Sequence, residues 1–318
     1  MEVLGRASAV DAVVAGVLAG AALFPTVFLG PVQLLVGGAG AGLRAVDGRT
    51  RQPGFGQQRP RGFVEEREIA PAARVPVPTL PAALAVALGT FGTTTLGRCV
   101  GPAIELSRSP ERTEMLRRFG RLGPAVLTER SVAEELVAQT GRVAGGLLGL
   151  EDLERVYASV VACQVTRYEE RSVARAPWGE VQDARHTCLV AAADGRGLVA
   201  IACFEASEEG VELSELGLVA PFGAAPVRRG VERVRPGEPC PAPSPMALVE
   251  REGASEFALG WGRSAGAEAA LRDLLRRGTY NQDISEGVLV GVWRSRDGAR
   301  PIRRASCQAS SDAPSSSR

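Results

Sequence analysis

Residues 13–30, VVAGVLAGAALFPTVFLG, run for 18 positions without a charge. Such a stretch either crosses a membrane or is buried on all sides in a protein core. Its length is at the lower limit for a span, and Gly16 and Gly20 have the small-xxx-small spacing used between membrane helices. Pro25 breaks the run, Gly and Ala dilute it, and Asp11 stands just before it. The expectation is a fully buried helix over 9–24 and then a buried strand through 27–36. Membrane association through 13–30 is the alternative. Only Arg6 lies ahead as a basic residue, so no secretory leader is read and the expected location is cytoplasmic.

The rest of the composition fits a buried apolar segment. Of 318 residues, 45% are hydrophobic and 23% charged, the balance of a soluble globular protein with a real core. A net charge of +1 excludes the bulk basicity of a nucleic-acid binder. There is no Lys, which removes Schiff-base, P-loop and lysine-base chemistry. His186 is the single histidine, so a His-rich zinc site is excluded, and neither a metal nor a cofactor is expected. Cysteines 99, 163, 188, 203, 240 and 307 form no CxxC pair and read as reduced thiols.

Helical patterns come first. They cover 75–92 with Pro81 in the first turn, 101–108, 128–139 capped by Thr128 or Ser131, and a turn from 151 to 156. The segment 32–46 reads as two short strands about a Gly-rich turn, and 47–62 as a polar loop. Strand patterns follow: a hairpin over 187–204 about Asp194-Gly195, a second over 246–262, and a last strand over 287–294. An amphipathic helix over 265–278, closed by Gly278, separates them, and 303–318 is a Ser-rich disordered tail. Helices first and hairpins after make this an α+β chain rather than an alternating Rossmann sheet.

Several stretches, in this order, resemble the γ-glutamyltransferase family of N-terminal-nucleophile (Ntn) hydrolases. AVDAVVAGVLAG (9–20) is similar to the family's opening helix, and LRAVDGRTRQP (43–53) to its "LDGRETAP" strand and loop. GPAIELSR (101–108), GGLLGLEDLERV (145–156), VAAADGRGLVAIA (190–202) and PSPMALV (243–249) also have counterparts. The resemblance covers roughly 3–302 and implies an αββα sandwich made from a precursor that cuts itself. It implies one domain over 1–302, large-subunit-like to 180 and small-subunit-like from 181. The chain is shorter than the family, because 167–180 runs almost at once into the hairpin; much of the helical region before the nucleophile is missing.

Carried over by position, the family's chemistry looks eroded. Its nucleophile is a Thr whose freed amine serves as base. That position falls on Ala184 if His186 is the anchor, and on Arg185 if Asp194-Gly195 is; neither side chain can attack. Thr187 or Cys188 would serve only after a register slip. Arg49 keeps the position that grips the substrate's α-carboxylate. The segment holding the substrate's amine has become LGLVAPF (216–222), without Asp or Asn. Of the serine pair that orients substrate only Ser244 remains, followed by Pro245. The oxyanion loop becomes Gly260-Trp261-Gly262-Arg263-Ser264, where Trp261 and Arg263 are expected to crowd Gly260 and Gly262. The expected protein is a catalytically inactive, uncleaved γ-glutamyltransferase-like chain. It would be a partner subunit or small-molecule binder, with a small carboxylate as ligand and a second copy or a full-length family member as partner. The alternative is an active γ-glutamyl amide hydrolase or acyltransferase that cleaves itself before Thr187 or Cys188.

Overall fold

In the computed structural model the described residues are 7–38, 40–57, 65–179, 186–227, 233–261, 275–276, 289–295 and 298–303. Helix α1 (Ala9–Leu23) opens on a reciprocal cap: Ser8 Oγ accepts the Asp11 N–H, and the Asp11 carboxylate accepts the Ser8 N–H at 2.7 Å. Asp11 Oδ atoms also accept from the Thr93 N–H, the Thr93 hydroxyl and the Thr94 N–H, tying α1 to a distant turn. The helix is buried on nearly all sides, as its letters require. No helix among the described residues is long and apolar enough to cross a membrane. Gly16 and Gly20 instead let α1 lie close on a sheet; a Cβ at Gly20 would stand 2.6 Å from the Phe204 ring.

A turn of 3-10 helix, Val27–Leu29, replaces the first part of the expected strand, and Gly30 and Pro31 separate it from β1 (Val32–Gly37). Pro31 has no N–H to give a ladder. Then come β2 (Arg44–Gly48), α2 (Leu80–Phe91), α3 (Leu96–Leu106) and α4 (Pro110–Leu122). The expected helix at 101–108 is thus the second half of a longer one, and α4 was not foreseen. It buries Met115, Leu116 and Phe119 beneath an otherwise polar helix capped by Ser109. In α5 (Arg130–Thr140) the cap is neither Thr128 nor Ser131 but Glu129, whose carboxylate accepts from the Ser131 N–H. Helix α6 (Leu150–Glu154) closes the helical half.

The strands that follow are β3 (Ser159–Ala162), β4 (Gln164–Tyr168), β5 (Arg171–Arg175), β6 (Thr187–Ala193), β7 (Val199–Glu205), β8 (Gly210–Leu213), β9 (Leu218–Pro221), β10 (Met246–Arg251), β11 (Ala254–Trp261), β12 (Leu289–Ser295) and β13 (Gly298–Arg303). Among the described residues they form antiparallel sheets ordered β3-β2-β1-β7-β6 and β13-β12-β11-β10-β5-β4, with β8 and β9 as a separate pair. Both large sheets mix strands from before and after residue 180.

Three apolar clusters define the layers. One lies between the helices and the outer face of the five-stranded sheet. A second, with Leu35, Ile201, Met246, Leu248 and Ala258, lies between the sheets. A third, with Val249, Phe257, Leu259 and Trp261, covers the far face of the six-stranded sheet and includes Leu275 of the helical stretch 275–276. This is the αββα sandwich that the resemblance implies. The described part of the short connection between β5 and β6 holds no helix, in keeping with the missing helical region. The remainder of the expected helix at 265–278 and the tail after 303 lie outside the described residues.

Candidate functional site

Strand register fixes one end of the sandwich. Gly48 of β2, Val32 of β1, Phe204 of β7 and Cys188 of β6 share a row. The segments after β2 and before β6 start from this end. In β6 alternate side chains face opposite ways. Cys188, Val190 and Ala192 pack toward the helices, while Leu189, Ala191 and Ala193 lie between the sheets. Thr187 therefore has between-sheet parity and Cys188 does not. The Thr187 Oγ1 is buried and has no hydrogen-bond partner among the described residues. Ala184 and Arg185 lie outside the described residues.

Arg49 lies just beyond β2, and its fork is already filled. Nε and Nη2 donate to the two Asp47 carboxylate oxygens at 3.0 Å each, and the guanidinium stacks 4.7 Å from the Trp178 ring centre. The Arg49 backbone N–H also donates to Asp47 Oδ1 at 3.0 Å, and Arg51 Nη2 adds a fourth bond to the same carboxylate at 3.1 Å. Burial works to raise the Asp47 pKa, but Arg49's hydrogen bonds and both arginine charges bring it below the ordinary 3.8. Trp178 Nε1 donates to Gln33 Oε1, and Gln33 Nε2 donates to the Pro243 carbonyl at 2.6 Å. A polar chain thus runs from Arg49 to the residue beside Ser244.

Ser244 is buried, and its Oγ also lacks a partner. Gly260 sits opposite Met246, and a Cβ there would stand 2.8 Å from a Leu189 methyl. Gly260 is thereby brought against β6, and Ser244 lies two residues before its pairing partner Met246. Strand alternation turns the Trp261 ring, expected to crowd Gly260, into the outer apolar cluster beside Leu275. Gly262 and Arg263 lie outside the described residues. Among those described, no cluster of His, Cys, Asp or Glu could hold a metal, and Cys99, Cys163, Cys188, Cys203 and Cys240 are in no disulfide. Burial pushes the Cys240 thiol up to about 11, so it is not a thiolate at neutral pH.

Next to this end is a cavity of about 580 Å³ whose lining includes Arg51, Phe55, Asp152, Arg155, Tyr157 and Arg235. Sequence reasoning missed Gln33, Asp47, Arg51, Trp178 and this cavity. The one available signal was Gln33, a lone amide in the otherwise apolar VQLLV.

No protein-family model matches the chain, and no curated protein matches it. Solved structures do. Two forms of LmbA2991 align over 94% and 93% of this chain and 93% and 92% of their own, both 14% identical, with TM-scores of 0.66 and 0.62. Cephalosporin acylase from Bacillus halodurans aligns over 92% of this chain and 89% of its own, at 14% identity and TM-score 0.65. A γ-glutamyltranspeptidase from Pseudomonas nitroreducens is also similar, over 54% of this chain and 64% of its own, at 18% identity and TM-score 0.47, an overlap too partial to carry an argument. At such identities the likeness bears on fold alone, and the chain has the Ntn-hydrolase fold.

Proposed function

We propose that this chain is an uncleaved, catalytically inactive γ-glutamyltransferase-like protein that acts as a small-molecule binder or partner subunit. The observation that carries the reading is the state of the strand where a nucleophile would stand. Thr187 and Cys188 pair with Glu205 and Phe204 inside the β6–β7 ladder, and the His186 carbonyl accepts the Ala206 N–H at 2.8 Å. Residue 186 is therefore held by the ladder as well. A cut before Thr187 would free an end that the sheet now holds, and a cut before Cys188 would expose a thiol that faces the helices. Arg49 adds support, since a substrate carboxylate would have to displace Asp47 from a bidentate pair.

A second reading has one observation in its favour: the Thr187 hydroxyl is buried, unpartnered and of the parity that faces between the sheets. Intact mass under denaturing conditions separates the two. A single species near 33.2 kDa is expected. Two fragments whose boundary lies just before Thr187 or Cys188 would overturn the proposal and make γ-glutamyl amides the first substrates to test. Light scattering of the same sample tests the partner role, for which a stable, stoichiometric oligomer is expected.

A further inference from the structure

The two arginines on Asp47 are not equivalent. Arg49 takes both carboxylate oxygens, which leaves Arg51 a single bond to them. Two guanidinium charges thus share one carboxylate. The Arg51 side chain is 8% exposed, and its Nε has no partner among the described residues. A buried cation with an unused donor is costly and calls for an anion or an ordered polar group.

The backbone of Arg51 is fixed from two sides. Its N–H donates to Val77 O at 3.1 Å and its carbonyl accepts from the Val77 N–H at 2.8 Å, while bridge pairing with Pro239 holds the other edge. The next residue, Gln52, exchanges backbone bonds with Glu238 and Gly237. The guanidinium lies 5.3 Å from the Tyr157 ring centre; that of Arg155, paired with Glu151 at 2.6 Å, lies 4.6 Å from the Phe55 ring centre. Two acidic residues are on the wall: Asp152 is committed to the N–H groups of Gly54, Phe55 and Gly149, and Glu238 accepts the Arg235 backbone N–H at 3.2 Å. Asp152 positions the loop and does not neutralise the arginine fork. Arg235 contributes a third guanidinium to the lining.

We propose that this cavity binds a small organic carboxylate, with Arg51 as its buried anchor and Phe55 and Tyr157 as its apolar walls. A planar guanidinium fork matches a carboxylate, and the volume of about 580 Å³ lies in the range of small-molecule sites. The proposal names the ligand class for the binder reading above and moves it from Arg49 to Arg51. It does not depend on whether the chain cleaves itself.

The test is calorimetric titration of the full chain with phenylacetate, with its neutral isostere phenylacetamide and with inorganic phosphate. Phenylacetate is expected to bind saturably and at least tenfold tighter than either. Arg51→Gln should abolish that preference. Because Arg51 is buried and its variant may not fold, Tyr157→Ala and Arg235→Gln are made as well; each should weaken phenylacetate at least threefold and leave the melting temperature unchanged. No saturable phenylacetate binding, equal binding of the amide, tighter phosphate binding, or indifference to both lining variants would overturn the site. Intact mass is read separately, so an uncleaved chain that binds nothing sinks the cavity and spares the proposed function.

Discussion

Where α1 begins, beside the β6–β7 turn, Asp11 is fully buried and its carboxylate is bonded to Ser8, Thr93 and Thr94, while the Ala9 N–H reaches Asp194 at 3.1 Å. At the opposite end of the same sheet, Thr187, Ser244 and Arg51 each bury a polar atom with no partner among the described residues. Among the described residues, the buried side-chain atoms without a partner therefore gather at this second end, beside others there that are fully bonded. The first end carries the cost of ordering the fold. The second keeps unused hydrogen-bonding capacity, which is what a binding site needs and a purely structural region avoids.

The sharpest way to break this contrast is Asp11→Ala. It would leave N–H groups at Ser8, Thr93 and Thr94 buried without an acceptor, and is expected to cost about 3 kcal/mol in urea unfolding. Phenylacetate binding by the folded fraction should be unchanged. A loss below about 0.5 kcal/mol would mean that this end is not the anchored one.

Gly20→Val probes the other end of α1, where the helix packs on the Phe204 row, through packing. Its Cβ would enter the Phe204 ring, which is itself buried. Overpacking of this kind costs about 2 kcal/mol, and the gain in helix propensity of well under 1 kcal/mol does not offset it. A Tm equal to that of the parent would show that α1 can ride away from the sheet.

How much of this was readable follows from the same physics. Helix α1, α2 and the hairpins β6–β7 and β10–β11 follow from apolar runs punctuated by Gly, Pro and Asp, where local pattern and tertiary burial agree. Strand β4 was invisible because it is an edge with an almost wholly exposed pattern, so no alternation is written in it. Strand β5 hid behind Arg171, which is buried only because Glu256 and the Leu275 carbonyl receive its guanidinium. At the candidate site, Arg49 was legible by position but its occupation by Asp47 was not, since the pairing is a matter of side-chain geometry. Arg51 looked like one more residue of a polar loop until Val77 and Pro239 closed on either side of it.

Acid should weaken the open end through Asp47. Its folded pKa lies below 3.8, so its ion pairs stabilise the fold above the unfolded value and that contribution disappears as pH falls through the folded one. Asp11 is shifted in the same direction, its hydrogen bonds outweighing burial. Melting temperature should therefore fall between about pH 5 and pH 3, and Asp47→Asn should flatten part of that slope. An identical slope in the variant would mean that the Arg49–Asp47–Arg51 cluster adds nothing to stability.

The smallest expected effect separates the ends most directly. Removing a hydroxyl normally removes a hydrogen bond, at about 1 kcal/mol. The Thr187 Oγ1 makes none among the described residues, so Thr187→Val replaces a buried, unpartnered oxygen with a methyl of similar size. Stability should stay level or rise by up to about 1 kcal/mol, because the penalty of burying the orphan oxygen is relieved. Ser244→Ala should behave alike for the same reason, and neither change should turn the single uncleaved species into fragments. The comparison residue is Thr93, whose hydroxyl donates to Asp11 at 2.7 Å; Thr93→Val should cost about 1 kcal/mol or more. If Thr187→Val instead destabilises as much as Thr93→Val, the Thr187 hydroxyl has a partner in solution and the two ends do not differ in kind.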